Sequence, residues 1–310
     1  MKMQTRLFLA ASLALSVSFI SCKKDKETTT NDTNIATHSD DQSRVSSATD
    51  DVADDANSVI DNFGAFNGRT DNTANLLLPC NADVVLDSTA SLRRLTVNYH
   101  GANCIGNRLR QGTVVLTMPL GQHWGDQHAV LTVETQNLHI TRVADGKSIT
   151  VSGTSTITNE TGGRLYELAT LGTIEHVIAS PGITVTFDDG TQRNWQVAKR
   201  RTFTYNSGIV VTTNGNHTEG GNSHISEWGT NRYGNAFTAS ISSPMIIRQD
   251  CNFRLTGGQI THEGTLGTLV ATFGLDANGD ATGCPGSAPY YYKAVWTGVG
   301  GVVRTIIYPY

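Results

Sequence analysis

Charge is scarce in this chain and unevenly spread. Only 16% of residues are Asp, Glu, Lys or Arg. Lys23 to Asn62 holds ten acidic residues against four basic ones, whereas Phe63 to Tyr310 carries seventeen of each. A body with no basic excess has no face with which to neutralise phosphates, so nucleic acid is not an expected partner. Long apolar runs are missing too. Leu7 to Ile20 is the one extended apolar stretch, and its fourteen residues are too few to span a bilayer as a helix. Catalytic motifs are likewise absent. There is no G-x-S-x-G elbow, and Gly298-Val299-Gly300-Gly301 lacks the strand-to-helix context of a dinucleotide loop. His262-Glu263 opens like a zinc-protease motif, but Leu266 stands where the second His belongs.

What the N-terminus does contain is an address. Lys2 and Arg6 precede the apolar run, and Ser21-Cys22 closes it before a charged, Thr-rich stretch begins. That order is a secretory signal peptide, so the mature chain is expected outside the cytoplasm. A cysteine directly after the apolar region resembles the lipobox of bacterial lipoproteins, in which the thiol is acylated and the signal is cut before it. Phe19 departs from that pattern, which prefers Leu. The resemblance implies a lipid on Cys22 and a membrane reached through that anchor, because several acyl chains hold stably where one does not. Lys23-Lys24-Asp25-Lys26-Glu27 resembles the export signal of Bacteroidota-type surface lipoproteins, which implies the outer membrane and an outward-facing body.

Four cysteines remain, an even number in an oxidising compartment, and they read as two disulfides. Three pairings are open in principle. Two hairpins favour one of them. With a turn at Ser88 to Ser91 between Ala82-Asp87 and Leu92-Tyr99, Cys80 lies near Cys104. With a turn at Glu263-Gly264-Thr265 between Phe253-Thr261 and Leu266-Phe273, Cys251 lies near Cys284. Each staple is worth about 3–4 kcal/mol on the loop-entropy argument.

The chain divides into a signal peptide at 1–21, a lipidated cysteine and disordered tether at 22–47, a short helix and loop at 48–75, and a β domain at 76–310. The tether follows from a near-absence of large apolar side chains, too few to offset the entropy of ordering. The helix follows from Val52, Ala56, Val59, Ile60 and Phe63 recurring at helical spacing after a Ser47 or Thr49 cap. From Leu76 onward the period is two. Ile183, Val185 and Phe187 alternate with Thr184, Thr186 and Asp188, and Asp189-Gly190 then signals a hairpin. Turn clusters about ten residues apart complete an all-β reading: an antiparallel β-sandwich or open curled barrel preceded by one short amphipathic helix.

Cys80, a hairpin, Cys104-x3-Arg108-x-Arg110-x-Gly112, long strands, Trp195, then Cys251 through Gly274 to Cys284 resembles a family of Bacteroidota lipoproteins. The resemblance implies an exported β-rich domain and attaches no activity to it. Asp276 to Gly283 lengthens the approach to Cys284, and Pro285-Gly286 replaces the Asp-Asn expected there.

Function is therefore read from side-chain chemistry. Trp124, Trp228, Tyr290, Tyr291 and Tyr292 are the candidate ligand-binding aromatics, suited to a glycan or protein partner if exposed. The preferred reading is a non-enzymatic surface module, with no cofactor and no metal. The alternative is a glycan-directed hydrolase using scattered carboxylates such as Glu219 and Glu227. His123-Trp124-Gly125-Asp126-Gln127-His128 and Asp276-Ala277-Asn278-Gly279-Asp280 read as loops, because neither matches a ligand spacing. Val302 to Tyr310 resembles the last strand of an outer-membrane barrel, yet a lipid anchor makes that reading redundant.

Overall fold

Alternating side chains that share one buried partner organise the structure. The computed structural model describes residues 26–68, 78–89, 91–286 and 288–310. Cys22 and the segment 1–21, read from sequence as a signal peptide, lie outside the described residues, as does the stretch 69–77. Helix α1 spans Lys26–Asn62. Fifteen strands follow among the described residues: β1 Ala82–Leu86, β2 Leu92–Ala102, β3 Arg108–Pro119, β4 Ala129–Arg142, β5 Ser148–Asn159, β6 Thr173–Phe187 and β7 Gln192–Tyr205. After them come β8 Ile209–Gly215, β9 His217–Glu219, β10 Asn222–Thr230, β11 Ala236–Arg248, β12 Arg254–Gly264, β13 Gly267–Leu275, β14 Tyr291–Gly298 and β15 Val303–Pro309. A short helix, α2 Leu168–Leu171, sits between β5 and β6.

All strands belong to one antiparallel sheet ordered β1 to β7, then β10 to β15, with β8 and β9 branching off that path. The fold is all-β, as the period of two predicts. Inward residues of β2 to β7 and β11, among them Leu95, Leu116, Leu131, Ile149, Val185, Trp195 and Phe237, join a single core with α1, against which Ile260 of β12 also packs. One helix touches so many consecutive strands only because the sheet curls around it. The outward positions are Thr and Ser along β5, from Thr150 to Thr158, and they stay partly solvated.

The helix differs from the sequence expectation. Residues 26–47, read as disordered tether, form the first part of α1. Val45 and Ala48 are buried beside Val52, Ala56, Val59 and Ile60, so the apolar stripe starts earlier than the cap assignment placed it. The remaining docking energy there is polar. Asp41 and Gln42 are buried, and Asp41 receives Arg232 Nε–H at 2.6 Å. Apolar periodicity cannot register a helix face held by charge.

Both disulfides form as the hairpins predict, Cys80–Cys104 and Cys251–Cys284, with Cα atoms 5.3 and 5.2 Å apart. The second hairpin turns at Thr265-Leu266, since Gly264 pairs with Gly267.

Candidate functional site

Five cations interrupt the apolar inner face of the sheet, and α1 supplies an acid to each. Arg108 pairs with Asp51, Arg110 with Asp55 at 2.6 Å, Arg142 with Asp40 at 2.7 Å, Lys199 with Asp50 at 3.0 Å and Arg201 with Asp54 at 2.7 Å. These cations come from β3, β4 and β7, so the aspartates are spaced to reach strands on both sides of the helix. The Cys80 to Gly112 motif takes its meaning from this contact. Arg110 is buried over the Tyr99 ring at 4.4 Å, donates to Asn81 Oδ1 at 2.7 Å, and shares Asp55 with the Tyr99 hydroxyl. Gly112 lies at φ 135°, where a Cβ would stand 2.6 Å from the Asn137 carbonyl oxygen. Arg110, Tyr99 and Asn81 thus seat the helix, and Gly112 lets β3 approach β4 closely.

Deeper in the groove, Glu227 is fully buried. Its carboxylate lies 2.9 Å from Lys199 Nζ and accepts Trp195 Nε1–H at 3.2 Å and Gln42 Nε2–H at 3.4 Å. Lys199 also donates to Ser46 Oγ at 2.9 Å. Burial alone lowers a lysine's affinity for its proton, but Asp50 and Glu227 outweigh it and the Lys199 ammonium is held above its ordinary value. A charged lysine flanked by two carboxylates under a helix has neither a free lone pair nor a path for substrate. Glu219, proposed from sequence as its catalytic partner, is exposed and faces His217 at 3.6 Å. The two glutamates do not form a facing pair.

The candidate aromatics are dispersed. Trp124 is buried against His176. Tyr290 is covered by Arg254, whose guanidinium lies 4.4 Å from the ring centre, and by Tyr310. Neither offers a ring to a ligand, because each fills a gap at the margin of the sheet. Trp228 is half-buried and stacked on His217 at 4.2 Å, while Tyr291 and Tyr292 are partly accessible. Next to Tyr292 in the β14–β15 ladder stands Tyr308, 53% exposed, followed by Tyr310. Edge strand β15 also exposes Val303 and Ile306. Sequence reading set this segment aside as a barrel-like strand; its alternating apolar residues were the available signal.

The loops considered for metals are turns. His123 lies 3.6 Å from Asp126, while His128 lies 3.3 Å from Glu160. Asp276 turns its carboxylate onto the backbone N–H groups of Asn278 and Asp280, at 2.9 and 3.0 Å, which holds its pKa below the usual carboxylate value. Compared with protein families, curated proteins and solved structures, the chain matches none.

Proposed function

We propose that this chain is an exported lipoprotein, acylated at Cys22 and held at the outer membrane, whose curled sheet serves as a non-enzymatic surface module for a protein or glycan partner. The supporting observation is the placement of α1. The helix starts four residues after Cys22 and is packed against the sheet from His38 onward, so an anchor there would hold the body near the membrane. Two disulfides suit an oxidising compartment. Against the hydrolase reading, Glu227 is committed to Lys199 and Trp195.

The partner surface in this proposal is the β14–β15 margin, with Tyr291, Tyr292, Ile306, Tyr308 and Tyr310. An edge strand bearing exposed apolar and aromatic side chains is a ready site for strand addition or aromatic stacking. Two measurements test the reading. Radioactive fatty acid should label the full chain and not Cys22→Ala; equal labelling removes the anchor. Retention of the full chain on outer-membrane extract or a glycan array should drop at least tenfold in the double variant Ile306→Ser, Tyr308→Ser. Unchanged retention moves the surface elsewhere, and turnover abolished by a single carboxylate change would restore the hydrolase.

A further inference from the structure

Four polar atoms without partners gather around one cavity at the end of the groove where α1 enters. Both ring nitrogens of His38 on α1 are buried and unpaired, as are His262 Nδ1 on β12 and Trp296 Nε1 on β14. His262 and Trp296 are 6% and 8% exposed, so neither side chain can turn to bulk water. All three line a cavity of about 40 Å³, together with Phe237, Asn231 and the β12–β13 turn. Leaving one such buried group unsatisfied costs roughly 1–3 kcal/mol, and here several meet in the same place.

Volume and donor chemistry narrow the occupant. About 10–15 Å³ of such space holds one water, so the cavity has room for an ion with one or two waters. A sugar or nucleotide does not fit. Hard cations want several oxygen ligands. The Glu263 carboxylate, however, accepts from Asn222 Nδ2 at 2.9 Å on the other side of β12. Neutral imidazole nitrogens suit late first-row ions instead. The His38 and His262 ring centres are 5.9 Å apart with planes at 85°. Two imidazoles sharing one ion, with metal–nitrogen bonds of about 2.0–2.1 Å, place their ring centres roughly 5–6.5 Å apart.

We propose that His38 and His262 form a two-imidazole site for a late first-row transition-metal ion, zinc or copper, which ties the entering end of α1 to β12. The Trp296 indole N–H, a donor only, cannot ligate; it supplies a hydrogen bond to an acceptor occupying a further position on the ion. No sequence motif announces this site, because its ligands are separated by 224 residues and meet only when the sheet curls.

The full chain, purified in detergent without a histidine tag and stripped with chelator, is titrated with Zn²⁺ by calorimetry and with Cu²⁺ by electron paramagnetic resonance. One equivalent of Zn²⁺ should bind in the micromolar range or tighter, weakening at least tenfold in His38→Phe and in His262→Phe. A variant with the exposed ring pair removed, His123→Ala with His128→Ala, should retain it. The copper spectrum should show coupling to two nitrogens. Zn²⁺ binding that survives the double change His38→Phe, His262→Phe overturns the proposal, as does absence of binding beyond that of exposed histidines. Should the double variant fail to fold, the wild-type copper spectrum decides alone, since any nitrogen count other than two refutes the site.

Discussion

At the scale of single residues, several side chains enclosed in this protein are polar. His176 is enclosed by the Trp124 and Phe203 rings, with both nitrogens unpaired. Burial, and then the nearby Arg201 charge, lowers its pKa from 6.5 to about 3. The folded state therefore binds this proton less well than the unfolded state does. Its stabilising contribution is complete above pH 6.5 and is lost as pH falls from there toward 3, at about 1.4 kcal/mol per pH unit. Urea melts at pH 6.5 and 5 should show that slope as the difference between wild type and His176→Phe; identical pH dependence would contradict the burial argument. Gly112 provides a second check. An added Cβ meets the Asn137 carbonyl oxygen at 2.6 Å and Leu138 Cα at 2.7 Å, on a backbone that L side chains rarely adopt. Gly112→Ala should cost roughly 1–3 kcal/mol of unfolding free energy, measured by urea.

At the scale of elements, the decisive piece is the first part of α1. Val45 is fully buried in the common core, though it lies in a stretch whose composition suggests a solvated spacer. Val45→Asp places an unpaired carboxylate there and should destabilise the protein by several kcal/mol. In a free tether the same change would leave the melting midpoint untouched, so a null result would undock the helix. Ile60→Ala, in the part recognisable from periodicity, should cost about 2–5 kcal/mol by leaving a cavity. The Cys80–Cys104 staple closes the β1–β2 hairpin close to Asn81, which holds Arg110. Replacing both cysteines by Ser should lower stability by about 2–5 kcal/mol.

For the whole molecule, one core spans α1, β2 to β7 and β11, while Leu168, Ile174, Phe203 and Val211 make a second cluster and Leu269, Ala294 and Trp296 a third under β13 and β14. The sheet consequently has unequal ends of stability. Amide exchange should be slowest in β4 to β7, which are paired on both sides and covered by the helix. It should be fastest in β15, which is paired on one side and exposed along nearly all its length. Equal protection in β15 and β5 would mean that the open edge is covered in solution.

The chain alone determined the local geometry. A period of two, Asp189-Gly190 and the evenly spaced turn residues specify antiparallel hairpins, since each depends only on neighbouring residues. Cysteine pairing was legible for the same reason: both partners flank a single hairpin. Tertiary structure decided everything that depends on the curl. It buried Trp124 and Tyr290, committed Glu227 to Lys199, extended α1 through a polar stretch, and brought His38 to His262. Those contacts join residues far apart in sequence through charge and enclosure, and neither leaves a periodic trace along the chain.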